Sequence, residues 1–394
     1  MRGSSPRTPI NIIVVNTQAS KDSLKHWTRS NRMEQEKVVS FQSSSSVVLG
    51  NCVFLTADNT GQLFCIDGNY SSLRYKGHIN KAIIDGRMPQ YRLCLNDDKV
   101  LMIPFYGERI GIYNKETDII ESVELPKSIK SQRIKFSGAF KIHNRIFCLP
   151  YYASDSVCIL DSKQCSVENT SRLLGEQGKD FIINDIFLLD EGRVAGLLYG
   201  TQKLVIYDSR EESVYIKNIS NDEELKLHSC CVKKNIVYTK ALNSDAVYEI
   251  DISNNDITEV VNTTIYNGKV YSVGDHYVVV DSYDNPDVFI IDTESKDKRY
   301  IEIDKRETGK RQEFYLGTAV LIDEKLYYIS ATQNTIYSYD EDKAYSYGIY
   351  EGDICKLRED IWRSKENIIR ENGIFRIDDF IHGVLEGNNC ENGF

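Results

Sequence analysis

The sequence predicts an all-β protein assembled from seven copies of one four-stranded antiparallel unit. Three observations lead there. The stretch from residue 103 to 114 (IPFYGERIGIYN) has relatives at 149–161 (LPYYASDSVCILD) and 197–208 (LLYGTQKLVIYD), each an apolar run, a short polar turn and a second apolar run closed by Asp or Asn. The closing residue recurs as Asp67, Asn114, Asp161, Asp208, Asp251, Asp292 and Asp340, at intervals of 47, 47, 47, 43, 41 and 48. Stepping back 19 residues from each gives Val48, Leu95, Ile142, Leu189, Val232, Val273 and Leu321, all aliphatic. Composition alone does not produce such a period.

Each copy reads as strands A to D. In the second copy these are residues 91–95, 100–103, 110–113 and 119–125, separated by turns such as Asn96-Asp97-Asp98 and Asn114-Lys115-Glu116. Stepping back 26 from the anchors gives Phe41, Met88, Lys135, Ile182, Leu225, Tyr266 and Phe314, with Lys135 alone out of pattern. Apolar spacing of two, without helices between copies, excludes helical solenoids.

Four antiparallel strands every 41–48 residues over residues 38–352 resemble the blades of the β-propeller superfamily. The resemblance implies a seven-bladed disc; a degenerate copy, or an N-terminal strand entering the ring, would make it six or eight. Both Trp residues, Trp27 and Trp362, lie outside the copies and no copy has a Gly-Gly doublet, so neither the WD-repeat nor the kelch signature is present.

Three regions follow. Residues 1–37 form a polar extension in which only 12–15 (IIVV) has strand character, and 38–352 form the propeller. In 353–394, Ile354, Leu357, Ile361 and Ile368 are spaced for one helix face, ended by Asn372-Gly373; a second short helix carries Phe380, Ile381, Val384 and Leu385 before a polar tail. That apolar stripe predicts packing on the disc or self-association.

Composition narrows the classes. With 41% hydrophobic and 27% charged residues, 25 Tyr and 14 Phe, the chain is that of a globular strand-rich protein. The longest apolar runs fall far short of the roughly 20 residues a membrane span needs, and the N-terminal patch is shorter than the roughly 7–15 residues of a signal-peptide core. We therefore expect no membrane association and a cytoplasmic location. Cys52, Cys65, Cys94, Cys148 and Cys158 fall in or beside strand-like runs with no C-x-x-C pair, which predicts core filling.

Antiparallel alternation sorts the turns onto two faces. The A–B and C–D turns collect Asp97-Asp98, Asp190-Glu191, Asp275, Asp323-Glu324, Glu211-Glu212, Glu294 and Glu341-Asp342, predicting an acidic face. The other face collects the B–C turns and D–A links, with two basic clusters, Lys127, Lys130, Arg133 and Lys135, then Lys305, Arg306, Lys310 and Arg311. Nine residues before each anchor stand Asp58, Phe105, Tyr152, Tyr199, Leu242, Tyr283 and Ala331, with Tyr106 and Tyr151 adjacent to two of them. Exposed rings stack on sugars or peptide side chains while Lys and Arg hold anionic groups. Phe105, Tyr106, Tyr151, Tyr152, Tyr199 and Tyr283, with the basic residues other than Lys135, are the candidate binding set.

No catalytic constellation is written in the chain. The histidines, His26, His78, His143, His228, His276 and His382, have no ligand spacing, and no Gly-rich phosphate loop, G-x-S-x-G or HExxH occurs. No metal or cofactor is predicted, and a pI near 5.3 argues against nucleic acid as the main partner. The function expected is a non-enzymatic binding or scaffolding propeller for a glycan, peptide or protein. The alternatives are a glycosidase- or lyase-type enzyme working in the central channel, and a structural subunit of an oligomer.

Overall fold

A computed structural model describes residues 45–346 apart from short stretches, the longest being 80–89 and 303–316, and then 348, 349, 353 and 356. Those residues form seven antiparallel sheets, each with four consecutive strands in the order A-B-C-D, at 46–78, 90–124, 136–172, 183–218, 227–262, 268–302 and 317–346. We number them blades 1 to 7: the protein is a seven-bladed β-propeller. The A strands end at Leu49, Asn96, Ile142, Asp190, Lys233, Val273 and Ile322, within one residue of the aliphatic positions that the repeat picks out. The N-terminal strand expected at 12–15 and the helices expected beyond 353 lie outside the described residues.

The anchor Asp or Asn recurs because it builds the C–D turn. Asn114 Oδ1 accepts from Glu116 N at 2.8 Å, and Asp161, Asp208, Asp251 and Asp292 accept in the same way from Gln164, Arg210, Ser253 and Glu294, at 2.7 to 2.9 Å. Four residues past these five anchors Asp118, Cys165, Glu212, Asn255 and Lys296 each hold φ between 49° and 66°. A side-chain acceptor held over its own turn stabilises a tight reversal that the backbone alone leaves with unpaired N–H groups. Asp208→Ala should therefore cost about 1 kcal/mol in chemical denaturation, with the fold retained.

Each hydrophobic cluster belongs to a seam between blades. The cluster of Leu101, Ile103, Ile110, Phe136, Ile146, Cys148 and Cys158 joins blades 2 and 3, and among the described residues six similar clusters join the other neighbours, including blade 7 to blade 1. A sheet buries both faces here, so its B and C strands are buried over most of their length, while D strands on the rim alternate or are exposed. The cysteines serve this core. Burial holds the Cys94, Cys148, Cys158, Cys230 and Cys231 thiols above the ordinary range.

The inner ends of the seams are stitched by polar groups. Ser45 Oγ accepts from Leu93 N at 2.7 Å across blades 1 and 2, and Lys135 N donates to Phe105 O at 2.9 Å across blades 2 and 3. Ser137 donates to Ile183 O at 2.5 Å across 3 and 4, and Asp185 accepts from Cys230 N at 3.0 Å across 4 and 5. Ser229 accepts from Val270 N at 2.8 Å across 5 and 6, and Asp281 accepts from Gly317 N at 3.0 Å across 6 and 7. Ser46 and Thr318 hydroxyls close the last seam at 2.5 Å.

That last seam has a second fastener. After blade 7 the chain returns to the rim of blade 1, where residues 348–349 pair in parallel with Ser72 and Leu73. Asp353 then accepts from Arg74 Nε at 2.9 Å and from Tyr75 N at 3.0 Å.

A candidate binding site at the channel mouth

The ends of the B strands in blades 2 to 4 bring Phe105, Tyr106, Tyr151, Tyr152 and Tyr199 into one neighbourhood on the face of the B–C turns and D–A links, which we call the channel mouth. In blade 2 strand B runs from Lys99 to Tyr106, further than its apolar pattern predicts, because Gln90 and Tyr91 extend the neighbouring strand and the pairing shifts register between them. Phe105 and Tyr106 thus sit on a strand end instead of a turn. Their main chain is fixed by the next blade, with Phe105 O accepting from Lys135 N; likewise Tyr151 O accepts from Ile183 N at 2.7 Å.

The rings form an arc. Phe105 lies edge-on to Tyr106 at 4.9 Å and to Tyr151 at 5.2 Å between centroids, and Tyr151 lies edge-on to Tyr152 at 5.0 Å. Arg92 covers Phe105 at 4.8 Å. Tyr199, 39% exposed, meets the His228 ring at 5.6 Å. Burial raises the Tyr151 phenol above its ordinary range, and the phenols of Tyr152, Tyr106 and Tyr199 add to the rise, so four hydroxyls share this neighbourhood. Edge-to-face contacts fix each ring against the next, and all four rings of the arc stay partly exposed.

The mouth continues into a polar side on blades 4 to 6. Asp185 Oδ2 accepts from Ser229 Oγ at 2.5 Å, and Asn184 Nδ2 donates to His228 O at 2.9 Å. Burial raises the Asp185 carboxyl, with Lys269 opposing. Burial holds the His228 imidazole below its ordinary value, with Asp185 pulling the other way and Lys240 adding to the depression. Asp281, 1% exposed, accepts from the Tyr328 hydroxyl at 2.9 Å; burial pushes its carboxyl up to about 7. Lys240 is fully buried and its Nζ has no hydrogen-bond partner among the described residues. Burial lowers its ammonium to about 8, against the pull of Asp245.

The basic residues fare differently. Lys130 pairs with Glu124 at 2.8 Å, and Glu124 also takes Arg109 at 2.6 Å. Lys135, 1% exposed, donates to the carbonyls of Lys130 and Gln132 and so caps the short helix Lys127–Lys130. Its break in the repeat pattern is a structural role. Lys127 and Arg133 are both exposed. Tyr283, Lys305, Arg306, Lys310 and Arg311 lie outside the described residues. On the opposite face the acidic turns are interleaved with cations, as in Asp97 with Lys141 at 2.5 Å and Asp190 with Arg193.

Arg92, His228 and Lys240 join the mouth without having been singled out by the sequence. Lys240 and Asp281 had a signal: each stands 11 residues before its anchor, where Thr56 is also polar and the other four copies have Ile103, Pro150, Leu197 and Ile329. Among the described residues no group of three or more His, Cys, Asp or Glu is placed to hold a metal ion, and no helix is long and apolar enough to cross a membrane.

Comparisons with known proteins agree on the architecture. Neither a protein-family model nor a curated protein matches the chain. Among solved structures it resembles PorZ, a surface component of the type-IX secretion system of Porphyromonas gingivalis, at a TM-score of 0.53 and 12% identity over 79% of this chain and 39% of PorZ. It resembles a streptogramin B lyase at 0.55 and 9% identity, covering 76% of this chain and 94% of the lyase. The Dos1 propeller gives 0.51 and 10% identity, over 76% and 81% of the two chains. Identities this low establish the fold alone.

Proposed function

We propose that this propeller is a binding module and that its ligand is a glycan received at the channel mouth. One observation carries the reading: the ring arc Tyr106–Phe105–Tyr151–Tyr152, with Tyr199 beyond it, is set in place by main-chain bonds to the following blade. A preset arc of partly exposed rings that carries three phenol hydroxyls suits a sugar, which offers an apolar face and equatorial hydroxyls. A peptide draws much of its affinity from main-chain hydrogen bonds. Here the inner-edge N–H groups of Leu93, Cys230, Val270, Gly317 and Ala319 are already taken by side chains of the preceding blade. Along these inner edges, among the described residues, what is left to a ligand is side-chain chemistry.

An enzyme working in the channel would draw on Asp185, His228 and Lys269. Asp185 and Asp281 each spend a carboxylate oxygen on a neighbouring blade's N–H, which is the work of a staple more than of an acid catalyst.

Changing Tyr152 and Tyr199 together to Ala should lower affinity for a captured glycan by about a hundredfold, at roughly 1–3 kcal/mol per stacked ring. Thermal stability should be nearly unchanged, because both rings are partly exposed. A glycan array followed by calorimetry on both proteins checks this, and a double variant that binds as the wild type does would rule the arc out.

A further inference from the structure

We propose that the glycan bears a carboxylate and that Lys240 supplies the cation that receives it; the inference rests on the glycan-binding reading above. Lys240 lies at the mouth end of strand B in blade 5, paired with Ser229 and facing blade 6, one strand behind His228 and Tyr199. The equivalent position in the next blade, Asp281, makes the inter-blade staple to Gly317 N. A lysine cannot do that, since it presents a donor to a donor. Its Nζ is instead fully buried without any hydrogen bond among the described residues.

A buried ammonium without an acceptor is destabilising, and such a residue breaks the logic of the fold where it stands. Burial lowers its proton affinity but leaves it mainly charged at neutral pH. Asp245, on the B–C turn above, attracts it, yet no ion pair joins the two. An ammonium with no bond where it rests gives none up by turning toward the mouth, and a lysine stem has the freedom to do so. The carboxylates nearby leave room for an incoming one: Asp185 is bonded inward to Ser229 and Cys230 N, and its carboxyl is raised by burial. Lys269, close enough to Asp185 to oppose the rise of its carboxyl, and Arg92, over the Phe105 ring, add two further cations to the mouth. Rings beside cations fit a sugar chain whose units carry acid groups.

The test titrates the full chain calorimetrically with tri-galacturonate, with a neutral galactose trisaccharide, and with an oligo-glutamate peptide. Tri-galacturonate should bind at least about tenfold tighter than the neutral sugar, the worth of one charge-assisted hydrogen bond. Lys240→Met should remove that preference, bringing tri-galacturonate down to the affinity of the neutral sugar, and should raise the unfolding midpoint because a buried charge is gone. Lys240→Arg should keep the preference, which guards against reading a packing effect as a charge effect. Equal binding of both sugars by the wild type, or an acid preference that survives in Lys240→Met, overturns the role of Lys240 and leaves the glycan reading standing. Binding of the peptide with neither sugar bound overturns both.

Discussion

Asp281→Ala should lower stability by on the order of 3 kcal/mol or more, because it strands two buried donors, Gly317 N and the Tyr328 hydroxyl, at roughly 1–3 kcal/mol each. The more informative variant is Asp281→Asn. Asn keeps an acceptor for Gly317 N, and the Tyr328 hydroxyl can rotate to accept from its amide, so the seam survives without a titrating group. In the wild type, burial pushes the Asp281 carboxyl up to about 7, above the ordinary aspartate value it has in the unfolded chain. The folded state then binds the proton more tightly than the unfolded state. The stabilisation is fully present below the unfolded value near pH 4 and is lost as pH rises through about 7. Its slope in that window is roughly 1.4 kcal/mol per pH unit.

Carboxylates held low by cations, such as Glu124 beside Lys130 and Arg109, contribute with the opposite sign. The quantity to measure is therefore the stability of wild type minus that of Asp281→Asn in urea unfolding from pH 4.5 to 8.5. The difference should fall with rising pH and level off above neutrality. A flat difference would mean that Asp281 ionises as an exposed aspartate does, and that blades 6 and 7 are not sealed over it. Gly317 belongs to the same device, since a Cβ there would collide with the Tyr328 hydroxyl.

Ending the chain at residue 347 should open the ring between blades 7 and 1. The change removes the parallel pairing of 348–349 with Ser72 and Leu73 and both hydrogen bonds of Asp353 to Arg74 and Tyr75. These join one end of the disc to the other, so they close the longest loop the chain makes. Loss of several degrees in the unfolding midpoint is expected, and Asp353→Ala alone should cost about 1–2 kcal/mol. Hydrogen exchange should locate the damage, with faster exchange in strands Ser46–Leu49 and Gly317–Ile322 and unchanged protection in blades 3 to 5. Uniform loss of protection would show that the seven blades unfold as one unit. An unaltered midpoint would show that the Ser46–Thr318 bond and the seam core of Val53, Leu55, Val320 and Ile336 close the ring unaided.

The blade repeat was legible because local chemistry repeats with it. Asp and Asn at the anchors are read by their own turns, as Asp208 is by Arg210 N and Glu211 N, and the aliphatic residue 19 earlier is fixed by alternation within one strand. Phe105, Tyr152 and Tyr199 could be placed on one face by the same counting. Counting misjudged the setting of some residues. Lys135 reads as surface charge in sequence and is a buried cap, because its partners are carbonyls, which carry no residue signature.

The seams were hidden for a different reason. Asp185 and Cys230, Ser229 and Val270, or Asp281 and Gly317 are 45, 41 and 36 residues apart, and each bond ends on a backbone group that any residue has. Nothing in a linear pattern marks an N–H as awaiting a partner from the preceding blade. Strand order, turns and the seven repeats were thus readable from the chain, since all rest on interactions within a few residues, while the closure of those repeats into seven blades was not. Which polar residues staple the seams, how the ring closes, and that Lys240 has no hydrogen-bond partner among the described residues came only with the packed blades. Those properties depend on burial and on what faces a side chain across a seam, and neither exists until the disc is closed.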